Sequence, residues 1–246
     1  MNAEPITTIV VVGNMKGGVG KSTVTSILAN YIHNELPEKS VIVIDADDMQ
    51  GTLDMLRNQD LLVKSYEQGV PVDQVNTDFF YDVVKVNSSN VPKQIEYLSG
   101  KVDYIFVDLP GNLKQSGVIK SYTMADHFII PTSMSNLDLD ATVKFIKEIK
   151  EKVLPAREKE GAETTLHLLL NRVKHNTNEY KEFLEMKAEL EKEITILKTE
   201  LPESTRISAK TNTIDTYHHV SGRDKSDVME ELCREVIEII DNTVEA

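Results

Sequence analysis

Tryptophan is absent and cysteine occurs once, at Cys233. A lone cysteine excludes an internal disulfide and a CxxC metal or cluster site. Cys233 reads as a structural thiol, and such thiol poverty fits a cytoplasmic protein. Aromatic residues make up only 6% of the chain, so the core must be mainly aliphatic. No apolar run approaches the ~18 residues of a membrane span. Met1 to Thr8 carries Glu4 and lacks the basic start and apolar core of a secretory signal. Basic residues are in deficit, 27 Lys and Arg against 40 Asp and Glu, for a net charge of −13. That field repels DNA and anionic membranes, so any nucleic-acid contact needs a local patch. Repeats and low-complexity stretches are missing too. At 246 residues the chain is read as one large domain, 1–246.

What is present centres on Gly13-Asn14-Met15-Lys16-Gly17-Gly18-Val19-Gly20-Lys21-Ser22-Thr23. Ile9-Val10-Val11-Val12 before it reads as a buried strand. After it Val24, Ile27, Leu28, Tyr31 and Ile32 recur at helical spacing. A glycine-rich loop between strand and helix is a phosphate cradle, with backbone N–H groups and the positive helix end facing an anion. Lys21 would reach the β- and γ-phosphates and Ser22 would ligate Mg²⁺. The strict G-x-x-x-x-G-K-[ST] pattern fails, because its first glycine falls on Met15; the loop carries a second lysine, Lys16, instead. The alternative is a chance glycine-rich turn.

Two more buried strands end in acids. Val41-Ile42-Val43-Ile44 runs into Asp45-Ala46-Asp47-Asp48, and Tyr104-Ile105-Phe106-Val107 into Asp108-Leu109-Pro110-Gly111. Open α/β sheets bind ligands at such carboxyl ends. Asp108 stands at the position that holds Mg²⁺ opposite the loop hydroxyl. The alternative for the first acidic group is that it caps a helix starting near Thr52.

The loop resembles the deviant Walker motif x-K-G-G-x-G-K-[ST] of the ParA/MinD family of P-loop ATPases. The resemblance implies that Lys16, Gly17, Gly18, Val19, Gly20, Lys21, Ser22 and Thr23 bind ATP. It also implies that Lys16 crosses a nucleotide-sandwich homodimer to the partner's phosphates. By the family's D-x-D-P-Q-G segment, Asp45 would lie near the Mg²⁺ shell and Asp47 would orient the attacking water. Asp48 replaces the proline of that segment, and Met49 is extra before Gln50-Gly51. Asp108 matches the family's D-x-P. Asn171, ending Thr165 to Leu170, stands where relatives hydrogen-bond adenine, although it reads equally as a turn residue. Leu201-Pro202-Glu203-Ser204 resembles the I-P-x-S turn beside that base, with Arg206 to Ala209 following.

Elsewhere the pattern predicts helices over Thr52 to Leu62, Ser88 to Ser99, Asn136 to Leu154 (started by Asn136 or Asp138 and stopped before Pro155), Asn178 to Lys192 and Ser226 to Asp241. Strands are expected over Tyr81 to Asn87, Asp126 to Thr132 and Ile194 to Leu197. Residues 64–78 read as a loop with at most a short helical turn. Lys144, Lys147 and Lys150, flanked by Glu148 and Glu151, read as a solvated salt-bridged face. The last helix has an apolar stripe, but Asp224 to the end holds eight acids against Lys225 and Arg234. Core packing is therefore expected rather than lipid binding.

The expected fold is a doubly wound, mainly parallel α/β sheet of about seven strands with helices on both faces. The resemblance implies ATP-driven dimerisation with slow, partner-stimulated hydrolysis. Its implied use is partitioning of a plasmid or other mobile element through nonspecific DNA and a centromere-binding adaptor. A patch of Lys198, Arg206, Lys210, Arg223 and Lys225 is nearly balanced by nearby acids. No helix-turn-helix arm precedes the first strand in this sequence, which argues against operator binding. The alternatives are a MinD-like positioning ATPase acting on a protein cargo or membrane, and a nucleotide-gated scaffold with little hydrolysis. An NAD-dependent enzyme is disfavoured, since the loop lacks G-x-G-x-x-G.

Overall fold

The computed structural model describes residues 6–47, 51–78, 80–204, 211–216 and 226–244. The apolar runs become seven strands: β1 (Thr8–Val12), β2 (Val41–Asp45), β3 (Asp82–Lys85), β4 (Tyr104–Asp108), β5 (His127–Thr132), β6 (Thr165–Leu170) and β7 (Thr195–Ile196). They form one sheet in the order β3-β2-β4-β1-β5-β6-β7, with every pairing parallel. The sheet is thus wholly rather than mainly parallel, and each expected strand is in it.

β1 is central. Its side chains alternate between faces: Ile9 and Val11 enter one apolar layer, Val10 and Val12 the other. A strand covered on both faces needs no polar side, which is why it reads as an unbroken aliphatic run. One layer is closed by α1 (Lys21–Glu35), α2 (Thr52–Gln68) and α8 (Ser226–Val244). The other is closed by α3 (Val91–Leu98), α4 (Val118–Tyr122), α5 (Asn136–Lys152), α6 (Leu154–Lys159) and α7 (Asn178–Leu190). Strands lead outward from β1 through β4 on one side and β5 on the other. The crevice at its carboxyl end is the ligand position of a doubly wound sheet.

The stripe of α8 is core: Leu232, Cys233, Val236 and Ile240 lie buried in the layer that holds α1. Burial pushes the Cys233 thiol far above its ordinary range. Among the described residues no helix is long and apolar enough to cross a membrane.

Four expectations change in detail. α2 runs on to Gln68, where Gly69 at φ +65° closes it, so most of 64–78 is not loop. Only Leu53 of α2 is buried, which left its second half without apolar periodicity. The helix beginning near 136 is capped by Ser135, whose Oγ accepts from the Asp138 amide at 3.2 Å, not by Asn136 or Asp138. It ends at Lys152, and Pro155 opens the first turn of α6, where a missing N–H costs nothing. The short α4 has no counterpart in the sequence pattern.

Candidate functional site

The phosphate loop joins β1 to α1. Gly20, at φ +99°, caps α1 without any side-chain hydrogen bond, and the first turn contains no acid. The opening N–H groups of the helix therefore have no internal acceptor. Gly17 and Gly18 are exposed beside them, while Val19 is buried and anchors the loop. With the Lys21 amine this makes a concave surface for an anion. Lys21 Nζ rests against the Lys16 carbonyl at 3.4 Å. A side chain at Gly20 would collide with the Asn171 amide.

Parallel pairing of β2 with β4 sets Asp45 directly beside Asp108. Both are buried. Ser22 Oγ, from the first turn of α1, donates to Asp108 Oδ2 at 2.5 Å. Asp45 Oδ2 accepts from the amides of Leu53 and Asp54 at 2.9 Å each, and its Oδ1 from Asp47 at 3.3 Å. The acid that caps α2 is therefore Asp45, reaching across from the strand end. Burial pushes Asp108 up to about 7, opposed by the Ser22 hydrogen bond and reinforced by the Asp45 charge. Burial also raises Asp45, against the three amides that favour its ionised form. Half-buried Asp47 stands at the mouth, and its charge raises both.

Two buried carboxylates and a hydroxyl at one point form a hard-oxygen set with excess negative charge. Among the described residues no cage of three or more His, Cys, Asp or Glu exists. That suits Mg²⁺, which takes one or two carboxylates and fills its remaining positions with phosphate oxygens and water.

The Lys16 ammonium lies 3.6 Å from Asp138 Oδ1 in the first turn of α5, and its side chain is 43% exposed. Asn171 closes the loop from the end of β6: its Nδ2 donates to the Val19 carbonyl at 2.8 Å, and its Oδ1 accepts from the Arg172 amide at 2.9 Å. Arg172 has φ +57°, the left-handed region that a non-glycine residue enters only under local constraint. Pro202 bridges to Val173 two residues further on, so the Pro202 turn abuts the Asn171 segment. Asp48, Met49, Gln50, Arg206 to Ala209, Lys210, Arg223 and Lys225 lie outside the described residues.

Residues 10–216 match the CobQ/CobB/MinD/ParA nucleotide binding domain. The chain belongs to this family. Solved structures of ParA and MinD proteins share its fold. A plasmid partition protein of Borrelia burgdorferi bound to AMPPNP aligns at TM-score 0.61 and 17% identity, over 95% of this chain and 100% of that one. The pNOB8 ParA bound to nonspecific DNA aligns at 0.62 and 19%, over 96% and 99%. The MinD cell division protein of Aquifex aeolicus aligns at 0.59 and 22%, over 94% and 97%. At these identities the likeness speaks for the fold. No curated protein sequence matches the chain.

Within this ParA/MinD-type scaffold, the loop, Asp45, Asp47, Asp108 and Asn171 converge on one crevice, with the Pro202 turn beside Asn171. Sequence reading missed what holds the loop from behind. Asn14 is fully buried and bonded to β5 and α5, and Asp138 pairs with Lys16. Gly111 packs against the loop backbone; a Cβ there would stand 2.5 Å from the Met15 carbonyl oxygen.

The expected salt-bridged face on α5 forms in part. Lys147 pairs with Glu151 at 3.7 Å and Lys152 with Glu148, but Lys150 reaches Glu193 beyond α7 at 2.5 Å.

Proposed function

We propose that the chain is a Mg²⁺-dependent, ParA-like ATPase whose two-fold dimer is assembled by ATP. The observation that carries the reading is the joint placement of Ser22, Asp45 and Asp108 beneath a glycine loop with two lysines. Lys21 and the α1 amides bind the β- and γ-phosphates. Ser22, Asp45 and Asp108 hold Mg²⁺, which when bound neutralises charge on the phosphate oxygens. Asp47, at the open mouth, accepts a hydrogen bond from the attacking water and orients it. Asn171 and the Pro202 turn border the base. Lys16, with its side chain 43% exposed and paired to Asp138, leaves that carboxylate to meet the phosphates of a second copy. Nucleotide state is thereby linked to dimer state, since ATP binds the dimer better than the monomer. Hydrolysis resets it, slowly until a partner completes the site.

The use we propose is partitioning of a plasmid or other mobile element, through nonspecific DNA and a centromere-binding or cargo adaptor. The DNA-bound ParA and the plasmid partition protein among the structural neighbours support it. A MinD-like positioning role is the second reading, supported by the Aquifex aeolicus MinD. The buried stripe of α8 disfavours its membrane form.

Specific ATPase activity measured across protein concentration tests the dimeric mechanism. It should rise with concentration and saturate; a flat profile contradicts hydrolysis within a dimer. Filter binding to nonspecific DNA with ATP, ADP or no nucleotide tests the cargo. ATP-dependent retention that falls steeply with salt is expected for partitioning, and none in any state contradicts it.

A further inference from the structure

Asn14 precedes the signature lysine by two residues and is entirely buried. Its Oδ1 accepts the Lys16 backbone amide at 3.0 Å. Its Nδ2 donates to the Pro131 carbonyl at 2.9 Å and to Thr142 Oγ1 at 2.8 Å. The Thr142 hydroxyl has one proton, which goes to the Asp138 carbonyl at 2.7 Å or to Thr132 Oγ1 at 2.9 Å. Backbone and side chain of Lys16 thus lead to the same place. The amide reaches residue 138 through Asn14 and Thr142, and the ammonium reaches the Asp138 carboxylate directly. Gly111 lies close against the same backbone, where an added Cβ would stand 2.5 Å from the Met15 carbonyl oxygen and 3.0 Å from that of Asn14.

We infer that Asn14 and Thr142 are positioning residues that fix the Lys16 backbone to the first turn of α5, and so set where its ammonium can reach across a dimer. This rests on the dimeric reading above. A chain of buried hydrogen bonds holds geometry because breaking one link leaves a desolvated donor or acceptor without a partner. The chain runs from the loop to a helix with an exposed outer face, where Leu137, Val143, Lys144 and Lys147 meet solvent. A displacement of the first turn of α5 would therefore move Lys16 directly and reach Lys21 more weakly, through the 3.4 Å contact of its amine with the Lys16 carbonyl. Lys16 geometry thus responds to α5 more strongly than nucleotide affinity does.

The test compares Thr142→Val, which deletes the hydroxyl at near-constant volume, with Thr142→Ser, which keeps it. Asn14→Asp serves as a second variant should Thr142→Val fail to fold; it keeps the acceptor for Lys16 but loses both donors. Two readouts are taken: exchange of the Lys16 backbone amide in the nucleotide-free protein, and dimer affinity with AMPPNP and magnesium beside monomer affinity for AMPPNP. In Thr142→Val the Lys16 amide should exchange about tenfold faster and the dimer should weaken about tenfold, the scale of one lost buried hydrogen bond. Monomer affinity should stay within about threefold, and Thr142→Ser should restore both readouts. Unchanged amide exchange, or equal losses of nucleotide and dimer affinity, overturns the inference. If the unmutated chain stays monomeric with AMPPNP, the dimeric reading falls and with it the cross-dimer role. The amide exchange then still reports whether Asn14 and Thr142 hold the loop.

Discussion

Lys16 and Asp138 form an ion pair at 3.6 Å that joins the phosphate loop to the start of α5. Ser133 Oγ holds the other oxygen of Asp138 at 2.6 Å, so the carboxylate is fixed while the lysine remains partly exposed. With the lysine 43% exposed, solvent screening holds the pair to about 0.2–1 kcal/mol. Releasing Lys16 therefore costs little, and Asp138→Asn should strengthen the ATP-bound dimer, by no more than about fivefold. Analytical ultracentrifugation with AMPPNP checks this. A dimer weakened tenfold would mean that Asp138 supports the assembly rather than competing for the lysine.

The Lys21 amine turns back into the loop and touches the Lys16 carbonyl at 3.4 Å. Charged hydrogen bonds to phosphate contribute about 1.5–3 kcal/mol. Lys21→Ala should weaken ATP binding about 10- to 100-fold by calorimetry. Unaltered affinity would remove the loop from the nucleotide site.

Asp47 is joined to the buried pair through its backbone amide, which donates to Asp45 Oδ1 at 3.3 Å. Asp45 and Asp108 are engaged by Ser22 and the α2 amides, whereas Asp47 lies half-buried at the mouth. Asp47→Ala should retain the ATP dimer while turnover falls about 100-fold or more, the usual scale of a lost general base. Normal turnover would show that another residue orients the water.

At the opposite end of the sheet, Thr165 Oγ1 lies 2.7 Å from His127 Nδ1 and 2.7 Å from His167 Nε2. Burial lowers both imidazoles to about 4, with the Arg157 charge adding to the effect at His127 and the Glu235 charge opposing it at His167. The unfolded chain, with histidines near 6.5, takes up protons that the folded chain refuses. Their contribution is whole above pH 6.5 and is lost as pH falls through about 4. Each histidine changes stability by at most about 1.4 kcal/mol per pH unit within that window. Asp45, Asp108 and Asp126 have raised values and act with the opposite sign. Urea midpoints of the unmutated chain and of His127→Gln/His167→Gln should therefore be compared at pH 7.5 and 5. The variant should lose less on acidification; equal losses would contradict the assignment.

The middle of the sheet was legible because β1, β2 and β4 are covered on both faces, so each left an unbroken apolar run ending in a polar turn, whereas the edge strands β3 and β7 are partly exposed. The site was legible where it coincides with those ends: Asp45, Asp108, Asn171 and the loop before α1. Legibility failed where burial is slight or local, as in the second half of α2, with Leu62, Val63 and Tyr66 exposed, and in the five residues of α4. It failed again for Asn14 and Thr142, whose partnership spans 128 positions. A buried amide and hydroxyl leave no periodic trace, and only the packed fold brings them together.

Lys16 acting across a dimer is the central feature of the proposed mechanism, and molar mass in solution tests it most directly. With AMPPNP and magnesium, light scattering should give twice the monomer mass. ADP should leave a monomer, and Lys16→Ala should remain single in AMPPNP. A monomer under saturating AMPPNP, or a Lys16→Ala dimer as tight as the unmutated one, would contradict it.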